Sequence, residues 1–326
     1  MQSSSFEAYI IVMSEERNIV VIVLAFISIY IIWGSTYLLN KICVAELAPF
    51  FLASIRFTTA GLLIFLIAKI LGLDLSITKK QAINCAFVGF LFLTFGNGIV
   101  VWALKYVDSG FAALEISAQP LVVLALMRVL EGKKIRPKSI VGLILGTIGI
   151  YILVSQKSLL IQENAISGMV MIFACMLSWG YGSLFVAKAD LPKNFFINTG
   201  YQMFFGGLML MIASLVFGES WAPISVWSDR VMWSMIILII FGSIVAFTSF
   251  NYLLKIVSPE KVATSTYINP LVALTLGWYI LDEQITNQSL VAAGVLLTGV
   301  YFINTSKEKT SDDKSIASVE THSADT

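Results

Sequence analysis

The chain has 326 residues, of which 58% are hydrophobic and only 13% charged, where a soluble domain usually carries about 25% charged residues. Its mean hydropathy is +0.87, so lipid is its solvent. The formal net charge of +1 comes with no basic patch for nucleic acid. The single histidine, His322, lies in a polar C-terminal stretch, which removes histidine acid–base chemistry and histidine metal ligation from the core. Cys43, Cys85 and Cys175 are far apart and read as small core hydrophobes, not as a disulfide or metal site. No Gly-x-x-x-x-Gly-Lys-Ser/Thr loop occurs, and no cofactor is implied.

Residues 1–18 are polar, carry Glu7, Glu15 and Glu16, and lack the pattern of a cleaved signal, so they read as a cytoplasmic N-terminal segment. Met13, before Ser-Glu-Glu-Arg, is an alternative start to Met1. Ten apolar runs then follow, at 19–39, 47–71, 82–104, 112–130, 140–154, 168–187, 195–217, 231–254, 263–281 and 290–303. A spanning helix needs roughly 20 mostly apolar residues. The fifth and tenth runs are short, and their matching places in the two halves of the chain mark them as thin spans. The runs are continuous rather than alternating, which argues against a barrel. The fold class expected is therefore all-α integral membrane, with ten transmembrane helices. Residues 305–326 are too poor in apolar side chains to bury a core and read as a disordered cytoplasmic tail.

Lys and Arg in the connections set the orientation. With the N-terminus inside, sixteen cationic side chains fall on the inside and four (Lys41, Lys105, Lys157 and Arg230) on the outside. Both termini are expected in the cytoplasm.

The chain repeats itself. At an offset of 146, Trp33-Gly34 falls on Trp179-Gly180, Gly61 on Gly207 and Phe95-Gly96 on Phe241-Gly242. At an offset of 150, Pro120 falls on Pro270, Gly149 on Gly299 and Tyr151 on Tyr301. The change of offset implies about one extra helical turn near the eighth span. Residues 19–155 and 167–304 thus read as two five-helix repeats. An odd number of spans inverts the second repeat, and in transporters this arrangement puts the substrate site near the bilayer midplane between the repeats.

Ionisable side chains within spans are costly and are functional candidates by default. Arg56 is nine residues past Leu47, about 14 Å along the second span, and its offset partner is Gln202. The bland alternative is a structural charge held by helix-end carbonyls or a buried partner. Glu115 lies near the outer end of the fourth span, where it is either a protonatable gate, a contact for a substrate amine, or a carboxylate wetted by headgroups. Gln119 shares its helix face, one residue before Pro120, which frees a carbonyl one turn earlier. Ser35, Thr36, Tyr37, Asn97, Asn251, Tyr267 and Asn269 line the pathway or bond neighbouring helices. Trp33 and Trp179 are expected to face the junction of the halves, as cavity walls or as interfacial aromatics, with Thr36, Tyr37 and Tyr181 close by. Gly142 and Gly146 form Gly-x-x-x-Gly, which packs helices within or between protomers. A homodimer is one arrangement this permits.

Several motifs carry a resemblance: Trp33-Gly34-Ser35, Pro49 with Arg56-Phe57, Phe95-Gly96-Asn97-Gly98, Pro120-Leu121, and Asn269-Pro270-Leu271 with Asp282-Glu283. Together they resemble the EamA family of the drug/metabolite transporter superfamily, from about Ile19 to Asn304. The resemblance implies a bacterial-type inner-membrane permease in contact with the lipid bilayer, often an exporter of amino acids, metabolites or toxic small molecules. One departure is that the offset partner of Glu283 is Lys133, with Glu131 two residues earlier, so both acids read as interfacial anchors. The expectation is a secondary transporter of a small amphipathic molecule working by alternating access, and not an enzyme; a membrane-embedded lipid-modifying enzyme, which would want a cluster of His, Asp or Glu, and a non-transporting receptor or scaffold are the rivals. For the orientation, a cysteine at Lys157 is expected to react with a membrane-impermeant thiol reagent on intact cells, and one at Lys193 only after permeabilisation. The opposite labelling pattern would invert the topology.

Overall fold

The computed structural model describes residues 19–132, 134–156, 163–257, 262 and 265–305, without the side chains of 254, 255, 266, 267 and 304. The N-terminal segment, Lys133 and the tail beyond 305 lie outside these. The described residues form α1 (Ile19–Val44), α2 (Pro49–Ile70), α3 (Lys79–Ala103), α4 (Ser109–Glu131), α5 (Pro137–Val154), α6 (Ala165–Val186), α7 (Phe195–Val216) and α8 (Asp229–Leu253, continuing to Ile256), each long and apolar enough to cross a membrane. Two further helices, α9 (Ser265–Leu281) and α10 (Asn287–Asn304), contain shorter apolar stretches. The fifth and tenth helices, at 18 residues each, are short as expected. The fifth reaches 18 residues because Pro137, at its N-terminal turn, starts the helix three residues before Ile140.

Local chemistry sets the helix ends. Thr78 and Gln81 form a capping box on α3, and Asn194, Ser228 and Thr286 cap α7, α8 and α10 with their side chains. Gly72, Gly132 and Gly218 follow α2, α4 and α7 with positive φ, the conformation that ends a helix at least cost when no Cβ is present.

Equivalent helices of the two repeats pair directly, α2 with α7 and α5 with α10. Small residues permit this. A Cβ on Gly142 would lie 2.5 Å from the carbonyl oxygen of Gly299, and one on Gly299 would lie 2.7 Å from the amide nitrogen of Gly146. The Gly-x-x-x-Gly of α5 is therefore used inside the chain, against α10. Side chains on other faces, such as Ile144, Ile148, Tyr151, Leu290 and Tyr301, are exposed, as a lipid-facing surface requires.

Two helices depart from a regular α-helix at symmetry-related places. π-helical segments occupy Phe90–Asn97 in α3 and Leu238–Val245 in α8, and each contains the repeated Phe-Gly pair. A third, Ser28–Ile32 in α1, has no counterpart in α6. Such segments widen one turn and are common at functional sites. The added length expected near the eighth span lies in α8. This helix continues fourteen residues past Gly242, whereas α3 stops seven past Gly96, so the extension is nearer two turns than one.

α4 is two helices, Ser109–Ile116 and Gln119–Glu131, broken at Ser117–Ala118 just before Pro120. Its counterpart Pro270 sits inside the continuous α9. The symmetry of sequence is thus not fully a symmetry of backbone.

Gly299→Ala is expected to lower stability by about 1–3 kcal/mol through overpacking, read as a reduced melting temperature of the detergent-solubilised protein. Gly294→Ala on the same helix, where a Cβ meets nothing within 4 Å, should leave the melting temperature unchanged or slightly raised.

Candidate functional site between the repeats

The two Trp-Gly pairs meet at the junction of the halves. The rings of Trp33 and Trp179 lie edge to face, with centroids 6.2 Å apart and an interplanar angle of 83°. Phe92 stacks on Trp179 at 4.5 Å, and Phe250 lies 5.0 Å from Trp33 and 6.2 Å from Trp179. Phe247 is 6.3 Å from Trp33. These five rings come from α1, α3, α6 and α8. Phe92 and Phe247 are buried, while Trp33, Trp179 and Phe250 are half-buried. Each aromatic pair of this kind adds about 0.5–1.5 kcal/mol beyond its buried area.

The seating of the pairs is reciprocal. The Trp33 indole donates to the carbonyl oxygen of Gly242 at 3.3 Å. The Trp179 indole rests on Gly96, where any Cβ would meet its Nε1. Gly34 lies against α9, where a Cβ would be 2.6 Å from Val272 Cβ and 3.1 Å from the Asn269 carbonyl oxygen. Gly180 lies against α4, where a Cβ would be 2.7 Å from Leu126 Cδ1 and 3.3 Å from Gln119 Nε2. Each Trp-Gly pair therefore holds a π segment of the other repeat with its indole and the proline-bearing helix of the other repeat with its glycine.

Arg56 reaches this seam from α2. Its Nε donates to Ser243 Oγ at 2.8 Å and its Nη1 to Asn40 Oδ1 at 3.3 Å. The guanidinium carbon is 4.7 Å from the Phe57 ring centroid, and the residue is only 2% exposed. Thr36, whose hydroxyl donates to the Trp33 carbonyl oxygen at 2.7 Å, is packed beside Gly242.

A second polar group lies where α1, α4 and α6 meet. Glu115 sits in the last turn before the α4 break and is 4% exposed, and its Oε2 has no hydrogen-bond partner among the described residues. Gln119 crosses to α6, donating to the Met176 carbonyl oxygen at 2.9 Å. Cys175 is near enough to Glu115 for the two to interact electrostatically. Tyr37 packs on the buried cluster that contains Leu114, Ala118 and Met176.

Other candidates lie elsewhere. Gln202 bonds Asn198 at 2.9 Å inside α7, next to α3. It is seven residues from the start of α7, as Arg56 is seven from the start of α2. Inversion maps depth from one face onto depth from the other, so the two are not at one level. Tyr181 is 42% exposed and lies near Phe87, outside the seam. Two residues along a helix turn the side chain by about 200°, so Tyr181 points away from the direction Trp179 takes. The Asn97 Oδ1 is buried without a partner among the described residues. The Asn269 amide, oriented by its neighbours, donates to the carbonyl oxygens of Tyr30 at 2.8 Å and Ile29 at 3.0 Å, tying α9 to the π segment of α1. Tyr267 lies on α9, its side chain outside the described residues. Asn40, Ser243, Phe92, Phe247 and Phe250 were not legible as site residues. The repeated Phe-Gly pair was the signal that pointed to Gly242 and its neighbour Ser243.

Acidic side chains close the N-terminal ends of helices. Glu283 accepts from the amides of Ser109 at 2.8 Å and Gly110 at 3.0 Å, and from Ser109 Oγ at 2.9 Å, at the start of α4. Glu219 accepts from the amides of Phe50 and Phe51 at the start of α2, and Glu46 from the amide and hydroxyl of Ser228 at the start of α8. Each carboxylate comes from the opposite repeat and meets the positive end of a helix dipole. Glu131, the acid nearest the Glu283-equivalent place, instead pairs with Lys188 at 2.6 Å.

Ten helices in two inverted repeats, joined at an aromatic and polar seam, define a membrane protein of the inverted-repeat transporter class. The chain belongs to the EamA-like transporter family, whose model matches residues 20–155 and 166–305. It is 33% identical to the "Uncharacterized inner membrane transporter YedA" of Escherichia coli strain K12, over 87% of this chain and 90% of that one. The "Probable amino-acid metabolite efflux pump" of the same organism is 24% identical, over 84% of this chain and 91% of its own length. A solved crystal structure aligns with a TM-score of 0.61 at 17% identity, covering 86% of this chain and 94% of the other, and shares the fold.

Gly96→Ala is expected to cost about 1–3 kcal/mol by forcing the indole of Trp179 aside, and to change tryptophan emission with it. Unchanged emission and melting temperature would contradict the close seating of Trp179 on Gly96.

Proposed function

We propose that the protein is a secondary transporter that moves a small amphipathic metabolite across a bacterial-type inner membrane by alternating access, in the export direction and coupled to protons. The observation that carries this reading is the contact of Trp33 with Trp179 across the two repeats. An aromatic surface at the junction of inverted repeats is placed where alternation of the halves exposes it to either side, and rings suit the apolar body of an amphipathic solute. Both termini are taken as cytoplasmic, from the excess of Lys and Arg in the inside connections. The relative named as an amino-acid metabolite efflux pump supports export.

Glu115 is the proton carrier in this reading. A buried carboxyl with a free oxygen beside a helix break is able to exchange a proton when the pathway opens. Untargeted metabolite profiling of medium and cytosol, with and without overexpression, identifies solute and direction together. Overexpression is expected to deplete at least one cytosolic metabolite and enrich it in the medium, and Glu115→Gln to remove the dependence of that flux on a pH gradient. Identical profiles with a correctly inserted protein would refute transport. A pH-dependent flux in Glu115→Gln would refute the role of Glu115 alone.

A further inference from the structure

The guanidinium of Arg56 has no countercharge among the described residues. It is 2% exposed, and both its hydrogen bonds go to neutral oxygens, Ser243 Oγ and Asn40 Oδ1. Among the described residues no carboxylate pairs with it, and its Nη2 makes no hydrogen bond. Glu115, the other buried ionisable group of the seam region, forms no ion pair with it. A buried charge held only by neutral groups is expensive, and an arriving anion relieves that cost. Arginine also presents a planar fork that matches a carboxylate in two bonds.

The position of Nη2 gives the ligand its shape. It lies at Gly242, where a Cβ would come within 3.1 Å of it. The carbonyl of the same glycine accepts the Trp33 indole. The free edge of the guanidinium and the indole of Trp33, against which Phe247, Phe250 and Trp179 pack, therefore meet at one residue that has no side chain. We propose that Arg56 is a head-group site, and that its ligand is an amphipathic organic monoanion with the carboxylate on Nη2 and the apolar body against the rings. An amine in the same place would set a second cation beside the first. The assignment rests on the transporter reading for its purpose but is tested by binding alone.

Three isosteric probes suffice with the purified full-length protein in detergent: phenylacetate, phenylacetamide and 2-phenylethylamine. Binding is read by the ligand-induced shift in melting temperature and by quenching of tryptophan emission. Wild type is expected to bind phenylacetate about tenfold or more tightly than the amide, as a charge-assisted pair predicts, and the amine more weakly still. Arg56→Gln should bring phenylacetate down to the level of the amide. Gly242→Ala, which keeps the charge and fills the space before it, should do the same. Equal binding of acid and amide, preference for the amine, no binding of any probe, or a preference that survives Arg56→Gln would each overturn the assignment. If neither variant folds, the wild-type series decides it. Selective binding of phenylacetate in a protein whose overexpression changes no metabolite would leave this site standing and fault the transport reading instead.

Discussion

The reciprocal grip of the two Trp-Gly pairs is the contact on which the arrangement of the halves depends. Neither repeat offers the other a hydrophobic driving force, because lipid tails are as apolar as the helix faces. Association must come from close packing and from hydrogen bonds made away from water. Gly34 and Gly180 supply the first, Gly34 by letting α9 approach to its Asn269 carbonyl and Gly180 by seating the Leu126 and Gln119 side chains of α4. Trp33 contributes to the second through the Gly242 carbonyl, whose helix is π-helical there. Because each half gives and receives the same parts, the seam is nearly self-complementary, as two related conformations of equal standing would need.

Polar groups are handled differently at the ends and in the middle. At one end of the bundle, Glu46, Glu219 and Glu283 each neutralise helix N-terminal amides of the other repeat. The other end uses other means. Asn194 caps α7 itself, while Asp74, one residue past the place related to Glu219, turns to Ser76, whose hydrogen bonds hold its carboxyl below the usual carboxylate range. In the middle, Arg56 and Glu115 are buried without charged partners among the described residues. Charges that serve only to hold helices together are normally paired. In the proposed transport cycle these two are the groups assigned the changing chemistry.

Much of the fold was legible because lipid imposes simple rules. Long apolar runs must be helices, since every backbone amide needs a partner within its own segment. The Trp-Gly pair at a steady offset marked the repeat because Trp, at seven residues, is uncommon enough for coincidence to be rare. The site was legible in part. Arg56 and Glu115 stood out as ionisable residues inside apolar runs, and Trp33 and Trp179 as the repeated aromatics. Tyr181 and Gln202 were drawn in by proximity in sequence and by the offset. A helix turns about 100° per residue and an inverted repeat exchanges depths, and neither fact is visible in a list of matches.

The sequence by itself determined the membrane, the ten spans, the duplication and the inversion, because these follow from composition, span parity and the distribution of Lys and Arg. Only the tertiary structure decided which surfaces meet. It placed the Gly-x-x-x-Gly of α5 against α10, broke α4 while leaving α9 continuous around its matching proline, and brought Arg56 to Gly242 and Ser243, nearly 190 residues away along the chain. These outcomes depend on the direction in which each side chain leaves its helix and on how closely two backbones approach. Such quantities arise between helices, and no single apolar run encodes them.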